Sequence, residues 1–135
     1  MNKIYSSPDE NYQVKFIYEW EIRFGPAYFQ LELNGQIISD KLFGDKLFWS
    51  LDSKYLAVEE WLTTDSQKGP VTRLLLFDLE NNKMSAFKII NKGFLRKVNF
   101  LNDRLIYIKE YAATGRGTES EVEYKNIKNW AEIRL

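Results

Sequence analysis

The chain has 135 residues, with 19 Lys or Arg balancing 19 Asp or Glu, and it contains no cysteine and no histidine. Those absences exclude disulfides and thiolate catalysis, and they remove the usual general base near neutral pH together with the commonest metal ligand. Aromatic residues make up 16% of the chain, which excludes a disordered polymer and fits one domain over 1–135 that hides roughly two-thirds of its unfolded surface.

Residues 1–11 are polar and carry the turn signal Ser7-Pro8-Asp9. Over 14–24, Val14, Phe16, Tyr18, Trp20, Ile22 and Phe24 share one face, and Lys15, Ile17, Glu19, Glu21 and Arg23 share the other. A period of two predicts a half-buried strand, and Gly25-Pro26 ends it. Segments 28–33 and 36–39 flank Asn34-Gly35, a pair that favours a type I′ hairpin turn. Gly44-Asp45 marks a further bend before the short apolar stretch Leu47-Phe48-Trp49.

A strand is expected over 55–62, then a polar loop over 63–70. In 71–79 the run Leu74-Leu75-Leu76-Phe77 is apolar on both faces, which predicts a central strand. Residues 80–83 turn it back into 84–90, Asn91-Lys92-Gly93 turns again, and 95–101 alternates loosely. A strand over 104–111 precedes a second long loop, 112–120, and a strand over 121–125. The tail reads both ways: Ile127, Trp130, Ala131 and Arg134 have helical spacing, whereas Ala131, Ile133 and Leu135 alternate.

The same order of elements occurs twice. Ser7-Pro8-Asp9-Glu10 matches Ser50-Leu51-Asp52-Ser53, Phe16-Ile17-Tyr18-Glu19-Trp20 matches Ala57-Val58-Glu59-Glu60-Trp61, and Gly25-Pro26 matches Gly69-Pro70. A third, partial unit opens at Leu101-Asn102-Asp103-Arg104. Asp9, Asp52 and Asp103 lie 43 and 51 residues apart, a strand-built spacing of the propeller type. Together with Asp78-Leu79-Glu80-Asn81-Asn82-Lys83, these segments resemble β-propeller blades that open with Ser-Pro-Asp-Gly and close with Asp-Leu-x-x-Gly-Lys. Two blades and a fraction do not close a ring of about four to eight. The expected fold is therefore all-β: two antiparallel sheets of blade-like repeats packed face to face, with room for a short C-terminal helix.

No apolar run approaches the ~18 residues that span a bilayer, and no apolar segment of signal-peptide type follows Met-Asn-Lys. A soluble cytoplasmic protein with no membrane partner is expected. Charge is unevenly spread: residues 1–67 hold 6 Lys or Arg against 11 Asp or Glu, net −5, and the rest hold 13 against 8, net +5. Such asymmetry hints at a charged partner.

The repeats set Glu19 before Trp20, Glu60 before Trp61 and Glu110 before Tyr111, with Glu21, Glu59 and Asp65 nearby. Brought together, Glu19, Trp20, Glu21, Glu59, Glu60, Trp61, Asp65 and Glu110 would make an acidic, aromatic surface suited to a protein partner. The bland reading is that the aromatics are core anchors and the acids are solvated strand ends. Paired glutamates could serve a glycosidase, but the sequence gives no separation between them and no metal-spaced set accompanies them. Glu59, Glu60 and Asp65 match no calcium-loop pattern, so no metal or cofactor is expected. Thr114-Gly115-Arg116-Gly117 lacks the helix a phosphate loop needs. Lys88, Lys92, Arg96, Lys97 and Arg104 stand among Phe87, Phe94 and Phe100, a composition that would suit single-stranded nucleic acid if the rings were exposed.

Size, the missing catalytic residues and the acidic first half resemble the immunity proteins of bacterial contact-dependent and other polymorphic toxin systems, with 49–83 the most similar stretch. That resemblance implies no enzyme activity. It implies a cognate toxin domain as partner, often a nuclease, neutralised by steric and electrostatic occlusion of its active site.

Overall fold

Aromatic and branched residues at alternate positions, broken by turn formers, fold this chain as strand after strand. The computed structural model describes residues 2–134. The first stretch supplies β1 (Lys3–Ser6), β2 (Gln13–Glu21), β3 (Ala27–Leu33) and β4 (Gln36–Ile37). The middle supplies β5 (Leu42–Trp49), β6 (Tyr55–Trp61), β7 (Val71–Asp78), β8 (Lys83–Ala86) and β9 (Ile90–Asn91). The last supplies β10 (Gly93–Phe100), β11 (Arg104–Tyr111), β12 (Gly117–Glu123) and β13 (Ala131–Glu132).

Hydrogen bonding arranges them as two antiparallel sheets, so the all-β expectation holds. One has ten strands, in the order β1-β2-β3-β5-β6-β7-β8-β13 with β4 beside β3 and β9 beside β7, and the other is β10-β11-β12. The units expected as two separate sheets are one sheet here, joined where β3 meets β5 through the single register pair Phe29–Phe43. The long sheet turns back on itself at this joint. Val14, Phe16, Phe29 and Leu31 are buried in one cluster with Leu56, Val58, Leu75 and Phe77. The opposite face of β6 and β7, through Ala57, Leu74 and Leu76, is buried in a second cluster with Leu95, Val98, Leu105 and Tyr107 of the small sheet. The result is three layers with β6 and β7 in the middle, which is why 74–77 is apolar on both faces.

Matching turns close the first two layers at one end. Ser7 Oγ donates to Asp9 Oδ1 at 2.7 Å and accepts from Tyr12 N at 3.0 Å; Ser50 Oγ donates to Asp52 Oδ1 at 2.7 Å and accepts from Tyr55 N at 2.9 Å. Glu10 and Ser53, fourth in each turn, both take positive φ, 62° and 61°. The two turns also touch, Asp9 N donating to Ser53 Oγ at 2.9 Å. The third turn has Leu101 where the others have serine and closes differently, by Leu101 N to Arg104 O at 2.8 Å.

The hairpin at Asn34-Gly35 forms as expected, both residues at positive φ. Other boundaries move. The regular alternation expected over 14–24 breaks at Glu19, where the β2–β3 register shifts between Tyr18 and Trp20, and the strand stops at Glu21. Gly44-Asp45 is no bend between elements but lies inside β5, where the register shifts between Phe43 and Leu47. Strand β12 starts at Gly117, not 121, because β11 keeps pairing to Glu110 and zips the hairpin down to a loop over 112–116. The tail holds a 3-10 turn at Tyr124–Asn126, and Ala131–Glu132 then pair with β8. Leu135, the last residue of the alternation read there, lies outside the described residues. No helix among the described residues is long and apolar enough to cross a membrane.

Candidate partner-binding site

β2, β6 and β11 run in the same sense into loops 22–26, 62–70 and 112–116, so the three loops gather at the end opposite the serine turns. Between them lies a cleft of about 210 Å³. Trp61 and Phe94 form its floor, edge to face with ring centroids 5.8 Å apart. Its walls come from 22–26 on one side and from Thr63, Asp65 and Gly69-Pro70 on the other.

The first wall is a tight turn, Gly25 N donating to Ile22 O at 2.7 Å and Ile22 N to Pro26 O at 3.0 Å. It holds Phe24 at φ 59°, a conformation that a bulky residue adopts at a cost on the order of 1–2 kcal/mol. The ring is 95% exposed, with the Arg23 guanidinium 5.1 Å from its centroid. In the second wall the Asp65 carboxylate caps a 3-10 turn by accepting from Gln67 N at 2.9 Å.

The acids and indoles singled out in the sequence collect at this end but divide by depth. Glu19 and Glu21 are exposed where β2 enters the first wall. Trp20 is 66% exposed: the shift at Glu19 pairs it with Tyr28, on the face away from Phe29 and the core. Trp61, its counterpart, is 6% exposed, and its Nε1–H is buried without a partner.

Glu59 and Glu60 are interior, 2% and 4% exposed, and being adjacent on a strand they point to opposite faces. Glu60 accepts from Arg73 Nε at 2.8 Å and Lys41 Nζ at 3.3 Å on the side of the first core. Glu59 accepts from Leu95 N of the small sheet at 2.8 Å, with Lys46 Nζ 3.7 Å away. Burial pushes its carboxyl above the usual carboxylate range, against the opposing pull of Lys46 and the Leu95 amide. A Cβ on Gly44 would collide with Glu59 Oε1 and stand 3.1 Å from Trp61 Nε1, so glycine is what lets this carboxylate fit. Glu110, beside Phe94 in the ladder, faces Arg96 at 3.7 Å.

Phe24 and Asp65 thus line the cleft with Trp61, and Glu19, Trp20 and Glu21 lie exposed at the end of β2 that leads into its first wall. Glu19, Glu21 and Asp65 form no ion pair among the described residues. Phe24 and Arg23 were not singled out in the sequence; the signal was an aromatic directly before Gly-Pro, where a strand can no longer bury it. Of the rings considered for nucleic acid, Phe87 packs edge to face on Tyr107 and Phe100 stacks on Tyr55. Neither is a free stacking platform. Gly115 N donates to Tyr111 O and the chain passes into β12 without a helix. Among the described residues no group of three or more acids could hold a metal ion.

In comparisons with known proteins, no family model matches the chain. Neither a curated protein nor a solved structure matches it significantly.

Proposed function

We propose that this is an immunity protein that binds a cognate bacterial toxin domain through the loop end and occludes its active site, acting in the cytoplasm as a binder and not an enzyme. The observation that carries the reading is an exposed Phe24 and the Asp65 carboxylate on one cleft, with the exposed Trp20, Glu19 and Glu21 on the end of β2 that leads into it; the three carboxylates form no ion pair among the described residues. Exposed aromatic anchors of this kind dominate binding energy in interfaces, and unpaired charges around them steer a complementary partner. The strained turn under Phe24 supports the same reading, because ordering an anchor before binding lowers the entropy lost on association. Glu59, Glu60 and Trp61 serve as the rigid base of that surface. The nuclease form of the proposal asks Glu19, Glu21 and Asp65 to stand in for phosphates.

The test is whether the adjacent reading frame encodes a secreted protein with a variable C-terminal domain, and whether this chain co-purifies with that domain and protects cells from it. Trp20→Ala and Phe24→Ala should each weaken the complex by at least about 2 kcal/mol. Glu19→Lys with Glu21→Lys should slow association and flatten its salt dependence. Full protection by the double Trp20→Ala, Phe24→Ala variant would rule this surface out.

A further inference from the structure

A second cleft, of about 470 Å³, opens where β8 ends at Ala86 and leaves part of the small sheet's inner face uncovered. It shares no lining residue with the loop-end cleft. Three lysines from three separate segments line it: Lys88 after β8, Lys109 of β11 and Lys128 of the tail. None of them pairs with a carboxylate among the described residues. Several other charges of the small sheet and the tail are matched, Arg96 with Glu110, Arg104 with Glu121, and Lys125 with Glu123. Glu121, the one acid in the lining, is thus already engaged by Arg104.

Lys109 is the most telling of the three. The inward face of β11 reads Leu105, Tyr107, Lys109, and the first two are buried in the second core. Lysine at an inward position on a sheet face calls for a counter-charge, and the cleft leaves room for one. The cleft is also preformed. Ser85 Oγ donates to Asn129 Oδ1 at 2.6 Å, and Asn129 Nδ2 donates to Ala86 O at 2.8 Å, so the wall that carries Asn126 and Lys128 is pinned to β8. Ser120 and Asn126 add neutral hydrogen-bonding groups to the lining.

We infer that this cleft is a binding site for a small phosphate-bearing anion, such as free phosphate, pyrophosphate or a nucleotide. Three lysines lining one cleft from separate segments suit an anion with several equivalent oxygens, and lysine binds phosphate as a point charge. The volume falls within the roughly 300–1,000 Å³ of small-ligand sites. A long polyanion is the poorer fit, because the chain has zero net charge.

The experiment is calorimetric titration of the whole protein, at physiological ionic strength, with inorganic phosphate, pyrophosphate, ATP and a short single-stranded oligonucleotide in turn. Backbone amide NMR shifts at Ser120 and Asn126 report the location. Saturable binding of phosphate or pyrophosphate is expected if the phosphoryl group alone is recognised, and of ATP alone if a nucleoside is needed. Lys109→Met, Lys88→Met and Lys128→Met, which keep an apolar stem, should each weaken binding about tenfold, with unchanged circular dichroism showing that the variants fold. No binding of the three small anions at millimolar concentration would overturn the inference. So would oligonucleotide binding that displaces them all, or full affinity in the triple lysine variant.

Discussion

Glu59 and Glu60 stand side by side on β6 yet belong to different interfaces, one facing each core. Glu60 is held by Arg73 of β7 and by Lys41 just before β5, and removing one partner of a buried pair costs about 3–5 kcal/mol. Glu60→Gln should approach that loss in urea unfolding, because Arg73 and Lys41 are only partly exposed. Glu59 carries a pH signature of its own. Its folded pKa is raised, so the stability it contributes is full below the ordinary carboxylate value and is lost as pH rises through the raised one. Glu59→Gln should flatten that component as pH rises above the ordinary carboxylate range; an unchanged pH profile would assign the dependence to another group. That two adjacent residues face opposite ways is legible from the period of two. Their burial was not, because the layer above and the layer below come from residues more than 20 positions away, and so does Lys46's neighbour Leu95.

At the scale of elements, the serine turns show what local spacing reveals. Ser-x-Asp followed by a positive-φ residue appears twice with matching hydrogen bonds, and the repeat in the sequence located both. The third turn keeps the aspartate but has leucine for serine, so spacing alone did not give its closure. Ser50→Ala orphans the Tyr55 amide and should cost about 1 kcal/mol in thermal or urea unfolding, whereas Asn102→Ala, in the turn built without that hydroxyl, should cost less. Asp52 is held below the usual carboxylate range by the Ser50 hydroxyl and then the Lys54 amide, and Asp9 by the Asn11 amide and then the Ser7 hydroxyl. Their contribution is present above the ordinary aspartate pKa, near 3.9, and is lost as pH falls through the depressed values. The Glu19 shift in β2 was invisible for a different reason. Val14 to Phe24 alternates without a break, and only the register with β3 shows that Trp20 faces out.

For the whole molecule, layering sets the order of stability. β6 and β7 are covered on both faces, while β1 and β12 are edges of their sheets. Amides of β6 and β7 should exchange hydrogen only through global unfolding, and those of β12 through local opening. Equal protection at β12 would mean that the small sheet is held more firmly than its packing indicates. The all-β class and the central strand at 74–77 could be read from alternation and the doubly apolar run. The merging of two units into one folded sheet could not, since it rests on a single pair, Phe29–Phe43, that no spacing in the sequence marks. The free rim of β12 carries Glu119, Glu121 and Glu123 at alternate positions. Two molecules meeting rim to rim set like charges opposite one another, which keeps an open ladder from recruiting a neighbour.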